Sequence, residues 1–327
     1  MLSKSLYNLC LLLSTPYENL NLFSNEICDL DYPILEEIYL KKLFNFKWRK
    51  KLNSSFKNFQ FDYIYEILEQ NSNFIKLKIN LKIYFIVENS PNNICSTTIQ
   101  EYIIILEYLH NKLKFQYLIE NEENPLLYNL ALKTDLSHID NLIFSKKQNL
   151  STNKLSSIDL FYEAFMTSSY FSNNNCSQRK ESNFNISEAC NYAETFALKP
   201  NPNYKSFEDI GGDCTNFISQ ILYAGGVKQT RAWSPYTNSW VRVEDIYLYL
   251  TTNNLATKLP NETSLSKGCL IQFYTPQIGR FFHNGFITYE LPNNDYLYCC
   301  HSYNKLNYPL SEIFPNRYPT LRALKIN

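Results

Sequence analysis

Apolar and polar residues alternate most regularly in FIKLKINLKIYFIVEN, residues 74–89. Every second side chain there is apolar, and the two sets are Ile75, Leu77, Ile79 and Leu81 against Lys76, Lys78, Asn80 and Lys82. A period of two predicts a half-buried strand whose lysine face is solvated. Two more strands are predicted at 97–109 and 112–120. In residues 31–52 the apolar residues have helical spacing and the last residues are basic, which predicts a helix. The pattern of FDYIYEILEQ is ambiguous between helix and strand. Residues 1–150 are therefore predicted to form a small α+β domain.

The N-terminal segment MLSKSLYNLCLLLSTPYENL carries one lysine and a short apolar stretch from Leu6 to Leu13. Asn8 interrupts the stretch, and no small-residue cleavage site follows. The pattern favours an ordinary packed helix over a signal peptide. No stretch of the chain reaches the roughly 18 apolar residues of a membrane span. We therefore expect a cytoplasmic protein without a membrane span.

A second region follows residues 151–184, whose polar part has the composition of a linker. All seven glycines lie after residue 210, which indicates a different architecture from the first region. ISEACNYAETFAL and VEDIYLYLTTNN have helical spacing, whereas GCLIQFY, FFHNGFITYE and DYLYCCHSY are typical of strands joined by turns. Residues 185–327 are therefore predicted to form a second α+β domain, with helices beside an antiparallel sheet.

The segment GGDCTNFISQILYAGG, residues 211–226, concentrates four of the seven glycines around one cysteine. Asp213 is a favourable N-cap, and Gly225 and Gly226 are typical of a helix end. Cys214 therefore falls in the first turn, where free N–H groups and the helix dipole stabilise a thiolate. The sequence leaves two interpretations open, a nucleophile or a buried structural cysteine that Asp213 caps.

A thiol nucleophile needs a base, which a third group orients. Of the four histidines, His283 and His301 bracket one predicted hairpin and should lie toward the same end of it. The pattern is typical of a nucleophile at Cys214, with the two histidines as its base and its orienting residue. The alternative for each histidine is a structural role. His110 and His138 lie in the first region and are interpreted as structural.

Composition narrows the functional classes. A hydrophobic fraction of 45%, a charged fraction of 19% and a formal net charge of zero are typical of a globular protein without a large nucleic-acid footprint. The nine cysteines are odd in number and contain no CxxC pair. This pattern favours reduced thiols over a disulfide framework or a zinc site. We expect no metal and no cofactor.

The second region also resembles a known family. NYKSFEDIGGDCTNFISQILYAGG is similar to the signature of the amidase domain of the papain-like, NlpC/P60-type cysteine hydrolases. EACNYAETFALKPNPNY, SPYTNSWVRVEDIYLYL, GCLIQFY, FHNGFIT and HSYNKLNYPLSEI follow in the family's order, over residues 185–326. The resemblance implies a Cys-bearing helix on an antiparallel sheet. Cys269 stands where the family usually has aspartate. Residues 1–150 are similar, on fewer features, to a cystatin- or NTF2-like domain.

By matching positions, the resemblance implies Cys214 as nucleophile, His283 as base and His301 as orienting residue, with Asn304 as a rival for that last role. The reaction would be hydrolysis of an amide in a peptide, or in a peptide derived from a cell wall, through a thioester. Beside the cytoplasmic location expected from the N-terminus, the resemblance leaves association with the cell envelope open. Asp213 and Tyr204 would help to position the oxyanion, and Trp233 and Trp240 would line the substrate groove. Two alternatives stay open, a non-catalytic binding protein on the same fold and an acyl transferase that uses the same residues.

Overall fold

The structure is a computed structural model that describes residues 2–22, 32–88, 90, 93–110, 112–138, 154–167, 183–259 and 265–327. The chain divides into two compact units. The first comprises Met1–Glu88 and Thr98–Asp159, and the second comprises Asn89–Thr97 and Leu160–Asn327.

The first unit is built on antiparallel strand pairs. Its strands are β1 (Phe56–Gln70), β2 (Phe74–Val87), β3 (Cys95–Leu109, of which residues 98–109 belong to this unit) and β4 (Lys112–Glu120), in the order β1-β2-β3-β4. Its helices are α1 (Leu2–Ser14), α2 (Tyr32–Lys51) and α3 (Pro125–Lys133). The three strands and the two helices that periodicity predicts are confirmed, and the ambiguous segment is part of β1.

The lysine face of β2 is less solvated than the alternation predicts. Ile75, Leu77 and Ile79 are buried as expected, but Lys76 is also only 4% exposed. Its Nζ donates to the Thr134 carbonyl at 2.8 Å and lies 3.4 Å from a Glu69 carboxylate oxygen. Residues that follow α3 cover this lysine, and a strand pattern alone cannot reveal such a cover.

The second unit contains a six-stranded antiparallel arrangement with helices beside it. Its strands are β5 (Ala256–Lys258), β6 (Leu270–Thr275), β7 (Arg280–Glu290), β8 (Tyr296–Cys300), β9 (Lys305–Pro309) and β10 (Thr320–Ile326), in the order β9-β8-β7-β6-β10-β5. Its helices are α5 (Ile186–Phe196), α6 (Cys214–Ala224), α7 (Asn238–Val241) and α8 (Val243–Thr252). Helix α4 (Ile158–Thr167) begins within the segment that composition predicts as a linker.

Helix α6 places its apolar face in the core of the second unit. Phe217, Ile218, Ile221 and Leu222 are fully buried in one cluster with Phe286 of β7, Cys299 of β8 and Leu324 of β10. Burying such side chains contributes about 1.5–3 kcal/mol each, so the cluster fixes the helix on the sheet. The helix ends where the glycines predict, and the Gly225 N–H donates to the Ile221 carbonyl at 2.9 Å. A mixed α and β fold, with the cysteine-bearing helix on an antiparallel sheet, is confirmed.

Candidate active site

Cys214 is the first residue of α6 and is 7% exposed. Asp213 occupies the N-cap position, but its side chain makes no cap hydrogen bond to the helix backbone. Two glycines precede it, and both have positive φ, +114° at Gly211 and +106° at Gly212. This left-handed backbone favours glycine and turns the chain sharply into the helix. The predicted position of Cys214 is therefore confirmed, whereas the predicted cap bond of Asp213 is wrong.

The amide groups at the start of α6 donate to a serine that the sequence motifs do not point to. The Asp213 and Cys214 N–H groups both donate to the Ser302 hydroxyl, at 2.7 and 3.2 Å. Ser302 has a φ of +75°, and a Cβ on Gly212 would lie 2.9 Å from its hydroxyl oxygen. Glycine at position 212 thus makes room for this hydroxyl. The Cys214 N–H therefore has the Ser302 hydroxyl as its partner in this arrangement.

Asp213 joins three segments of the second unit. One carboxylate oxygen accepts from the Phe207 N–H at 2.9 Å and from the Asn216 side-chain amide at 2.8 Å. The other lies 2.7 Å from Nδ1 of His301, and both side chains are 1% exposed. The carboxylate therefore holds the turn before Cys214 against the end of β8, which agrees with a positioning role.

His301 is fixed on both of its ring nitrogens. Nε2 lies 2.7 Å from the Phe196 carbonyl, and the ring stacks on Phe217 with centroids 3.8 Å apart. Because the Asp213 carboxylate and the Phe196 carbonyl are both acceptors, both bonds form only when each nitrogen carries a proton. Neither nitrogen is left to orient His283. The predicted orienting role of His301 therefore disagrees with this arrangement, in which His301 fixes the turn before Cys214 instead.

Asn304, the rival for the orienting role, lies elsewhere. Its side-chain amide donates to Glu208 at 3.1 Å. Its carbonyl oxygen is buried and has no hydrogen-bond partner among the residues that the structure describes. Neither Asn304 nor His301 hydrogen-bonds His283 in the described part of the chain, so the sequence did not identify the residue that orients His283.

His283 lies in β7 beside four aromatic rings and is 1% exposed. The ring centroids of Phe273, Phe282, Tyr303 and Tyr318 lie 5.4, 6.1, 5.2 and 6.4 Å from its own. The next residue, Asn284, donates its backbone N–H to the Cys214 sulfur. The thiol therefore lies beside the backbone of the predicted base. His110 and His138 lie in the first unit, and both are exposed.

Burial raises the pKa of the Cys214 thiol above its ordinary value. The Asp213 carboxylate acts in the same direction, whereas hydrogen bonds from the Asn284 N–H and from Thr215 act in the opposite direction. Burial is the largest of these influences, and it acts against the thiolate that the helix start is expected to stabilise.

The other polar residues of DCTNFISQ are also buried, and each has a partner. Asn216 accepts from Trp240 Nε1 at 2.8 Å and donates to the Lys205 carbonyl at 3.0 Å. Ser219 accepts from Trp233 Nε1 at 3.2 Å, and Gln220 accepts from the Tyr192 hydroxyl at 2.7 Å. Because an unpaired buried polar group costs about 1–3 kcal/mol, these contacts explain much of the motif as architecture.

The aromatic residues predicted to line a groove are core residues. Trp233 and Trp240 are both 0% exposed, with ring centroids 4.7 Å apart. Their role in a substrate groove is therefore wrong, because no part of either ring reaches solvent. Tyr204 stacks on Trp240 at 6.2 Å, and no contact between Tyr204 and Cys214 is seen in the described residues. Tyr236 is 45% exposed and accepts from the Lys205 N–H at 2.8 Å.

A cavity of about 480 Å³ lies at the other end of α6 from Cys214. Phe184, Gly226, Lys228 and Tyr249 are among its lining residues. Within the described residues, no group of three His, Cys, Asp or Glu side chains is placed to hold a metal ion. The helices that the structure describes are all too short or too polar to cross a membrane.

Comparison with known proteins places a family match on the second unit. Residues 183–321 match the family described as "Putative amidase domain". Two relatives come from Bacillus subtilis (strain 168). "Uncharacterized protein YjcM" is 35% identical over 130 residues, which cover 37% of this chain and 31% of the relative. "Uncharacterized protein YhbB" is 34% identical over 108 residues, which cover 29% and 34%. The chain thus spans about a third of each relative's length. No solved structure matches the chain.

Proposed function

We propose that the second unit is a cysteine-dependent amide hydrolase with a papain-like, NlpC/P60-type arrangement. Cys214 is the nucleophile and His283 the base, and the substrate is an amide in a peptide, including one derived from a cell wall. The hydrogen bond from the Asn284 side-chain amide to the Thr215 hydroxyl, at 2.8 Å, supports this pairing most. Because Asn284 directly follows His283 and Thr215 directly follows Cys214, this bond holds the two candidate segments together. The family match over residues 183–321 supports amide hydrolysis as the reaction.

The raised pKa of the Cys214 thiol defines what the base must do. His283 takes the thiol proton as the sulfur attacks the carbonyl carbon, since a protonated thiol is a weak nucleophile. The C–S bond forms while the carbonyl π electrons move to oxygen. His283 then gives the proton to the leaving amine as the C–N bond breaks, and a thioester remains. Water then attacks the thioester carbonyl carbon as His283 takes one of its protons. The C–S bond breaks, the carboxylic acid leaves, and His283 returns the proton to the sulfur to restore the thiol.

The Cys214 N–H can stabilise the developing oxyanion only if the Ser302 hydroxyl moves, because that hydroxyl holds it at 3.2 Å. Asp213 and His301 act on the same turn as positioning residues. They keep the start of α6 in one conformation through a buried pair of side chains.

The direct test is hydrolysis of short synthetic peptides that contain L- and D-residues joined through main-chain and side-chain amides. Cleavage would be followed by liquid chromatography and mass spectrometry for the full chain and for Cys214→Ser and His283→Phe. Phenylalanine suits position 283 because the site is already aromatic. Cys190→Ser, which changes another buried cysteine, is the matched control. We expect cleavage that both site variants abolish and the control retains. Cleavage that survives Cys214→Ser would refute the proposal.

Labelling with iodoacetamide at pH 6 to 7, mapped by mass spectrometry, separates the nucleophile from the other thiols. We expect Cys214 to react in the wild type and to slow in His283→Phe. Equal rates in the two proteins would show that His283 does not activate the thiol, and would favour a binding protein on this fold. Added glycinamide would reveal acyl transfer as a new amide product.

A further inference from the structure

Four side chains form a chain of hydrogen bonds that crosses the sheet from β10 through β6 to β7 and then reaches Cys214. Arg322 Nε donates to Gln272 Oε1 at 2.7 Å. Gln272 Nε2 and Asn284 Oδ1 are 2.8 Å apart, and Asn284 Nδ2 and Thr215 Oγ1 are also 2.8 Å apart. Thr215 Oγ1 then lies 3.8 Å from the Cys214 sulfur. The chain is continuous because each member bonds the next.

The direction of every bond in this chain follows from its first member. A guanidinium only donates, so the Gln272 oxygen must face Arg322 and the Gln272 amide nitrogen must face Asn284. The Asn284 oxygen then faces Gln272, and its nitrogen faces Thr215. Gln272 Nε2 also donates to the Val243 carbonyl at 2.9 Å, which requires the same orientation. Thr215 therefore accepts a hydrogen bond on its oxygen, and its own proton is available for the sulfur.

We propose that Arg322, Gln272, Asn284 and Thr215 form a one-way donor relay that directs the Thr215 hydroxyl proton at the Cys214 sulfur and stabilises its anionic form. Thr215 contacts the reacting atom, and the other three are positioning residues. The inference deepens the proposed function and rests on Cys214 as its nucleophile. Each hydrogen bond in such a chain polarises the next, so a cation at one end strengthens the donor at the other.

The packing holds the relay in place. Gln272, Asn284 and Thr215 are at most 1% exposed, and Arg322 is 8% exposed. Gln272 of β6 stands in register with Asn284 of β7 on one side and with Arg322 of β10 on the other. The three side chains therefore lie in a row across the sheet, on the face toward α6. Few alternative rotamers are open to a buried row of this kind.

The outer end of the relay is also anchored. Arg322 Nη2 donates to Glu244 at 2.9 Å. The guanidinium carbon lies 3.7 Å from the Tyr247 ring centroid and 4.1 Å from that of Phe281. The guanidinium thus lies against two rings, and its Nε is aimed at Gln272. Lysine could not reproduce this geometry, since it lacks the planar fork of donors.

Other groups also act on the Cys214 sulfur and must be held constant in any test. The Asp213 carboxylate opposes the anion, and His301 is paired with that carboxylate. The Asn284 backbone N–H is a donor that side-chain substitutions retain. His283 follows the bulged start of β7 and is the group that removes the thiol proton. The relay is therefore isolated best by changing Thr215 alone.

The first experiment measures the rate of iodoacetamide alkylation of Cys214 against pH in the full chain, with the labelled peptide quantified by mass spectrometry. Thr215→Val removes the hydroxyl at nearly constant volume, and Thr215→Ser is the matched control that keeps it. We expect Thr215→Val to raise the apparent pKa of Cys214 and to slow alkylation about three- to tenfold below that pKa, because a donor to the thiolate is lost. Thr215→Ser should stay near the wild type.

A second pair of variants tests the direction of the relay. In Asn284→Asp the carboxylate can accept from both Gln272 and Thr215, so the Thr215 proton turns away from the sulfur. Asn284→Asp should change the alkylation rate of Cys214 in two ways. The effect of the added charge should be the same with threonine or valine at position 215, whereas the effect carried by the relay should be absent with valine. A double-mutant cycle separates the two effects. Arg322→Met should likewise slow alkylation in the wild type and have little effect beside Thr215→Val.

The outcomes are distinct from those of the proposed function. The relay would be overturned if Thr215→Val left the pH profile of Cys214 alkylation unchanged, or if the valine and serine variants had equal profiles. It would also be overturned if Thr215→Val were fully additive with both Asn284→Asp and Arg322→Met. A shifted profile without amide hydrolysis by the wild type would keep the relay and reject the hydrolase. Circular dichroism of each variant checks that the fold is retained, and Thr215→Ala, which also lacks the hydroxyl, replaces the valine variant if that variant unfolds.

Discussion

His301→Phe should destabilise the second unit by about 3–5 kcal/mol, the usual cost of leaving a buried carboxylate without its main polar partner. His301 and Asp213 are each 1% exposed, and their closest atoms are 2.7 Å apart. Phenylalanine retains the stack on Phe217, so the change tests the polar bonds more than the packing. The carboxylate of Asp213 would keep only two neutral donors, the Phe207 N–H and the Asn216 amide.

The double variant His301→Phe, Asp213→Asn identifies the cause of this loss. Without a carboxylate, no uncompensated charge stays buried, so the double variant should be more stable than His301→Phe alone by at least about 1.5 kcal/mol. Urea unfolding would be followed by tryptophan fluorescence in a common Trp48→Phe background. The signal then comes from Trp233 and Trp240, which both lie in the second unit. The reasoning would be refuted if His301→Phe lowered the free energy of unfolding by less than about 1 kcal/mol. It would also be refuted if the losses of the two single variants simply added in the double variant.

Three further predictions concern the second unit. Burial raises the pKa of the Asp295 carboxyl group from 3.8 to about 6. Folding therefore favours the protonated carboxyl group, and its contribution to the free energy of unfolding is complete below pH 4 and is lost as the pH rises to 6. Urea unfolding from pH 4 to 7 should show a loss of about 3 kcal/mol in the free energy of unfolding of the wild type and no such loss in Asp295→Asn. The prediction would be contradicted if this free energy depended on pH equally in the two proteins. Gly225→Ala should lower stability by about 1–3 kcal/mol, because the new Cβ would lie 2.1 Å from the Phe184 ring; an unchanged melting temperature would show that this ring moves freely. Trp240→Phe should cost at least about 1–3 kcal/mol in the same unfolding assay, because it leaves the buried Asn216 oxygen without its 2.8 Å donor, and a smaller loss would count against that bond.

Local elements could be predicted because their signals are local. Alternation in β2, helical spacing in α2 and the glycines around α6 each lie within one segment, and the structure has all three elements. The start of α6 at Cys214 followed from the same kind of signal. Burial depends on what covers a segment, and Lys76 and Trp233 were assigned wrongly for that reason.

The partners of the site residues could not be predicted in the same way. His301 was placed at the correct end of its hairpin, yet its bonds go to Asp213 and to the Phe196 carbonyl. The sequence did not predict the role of the Ser302 hydroxyl. The signal that could have found it is its position directly after His301, and the structure adds its positive φ. Thr215 and Asn284 stand directly after Cys214 and His283, so the signal that could have found them is adjacency to the candidate pair.

The sequence by itself determined helices α1, α2, α5, α6 and α8, strands β2 to β4 and β6 to β8, and the position of Cys214 at a helix start. Only the tertiary structure decided which polar groups meet, since the decisive partners are far apart in the chain. The Phe196 carbonyl and His301 are separated by 105 residues, Asn284 and Thr215 by 69, and Arg322 and Gln272 by 50. Periodicity reports which face of an element is buried. Buried hydrogen bonds depend on the register and packing of several elements at once, so the contacts around the Cys214 thiol arise only in the folded unit.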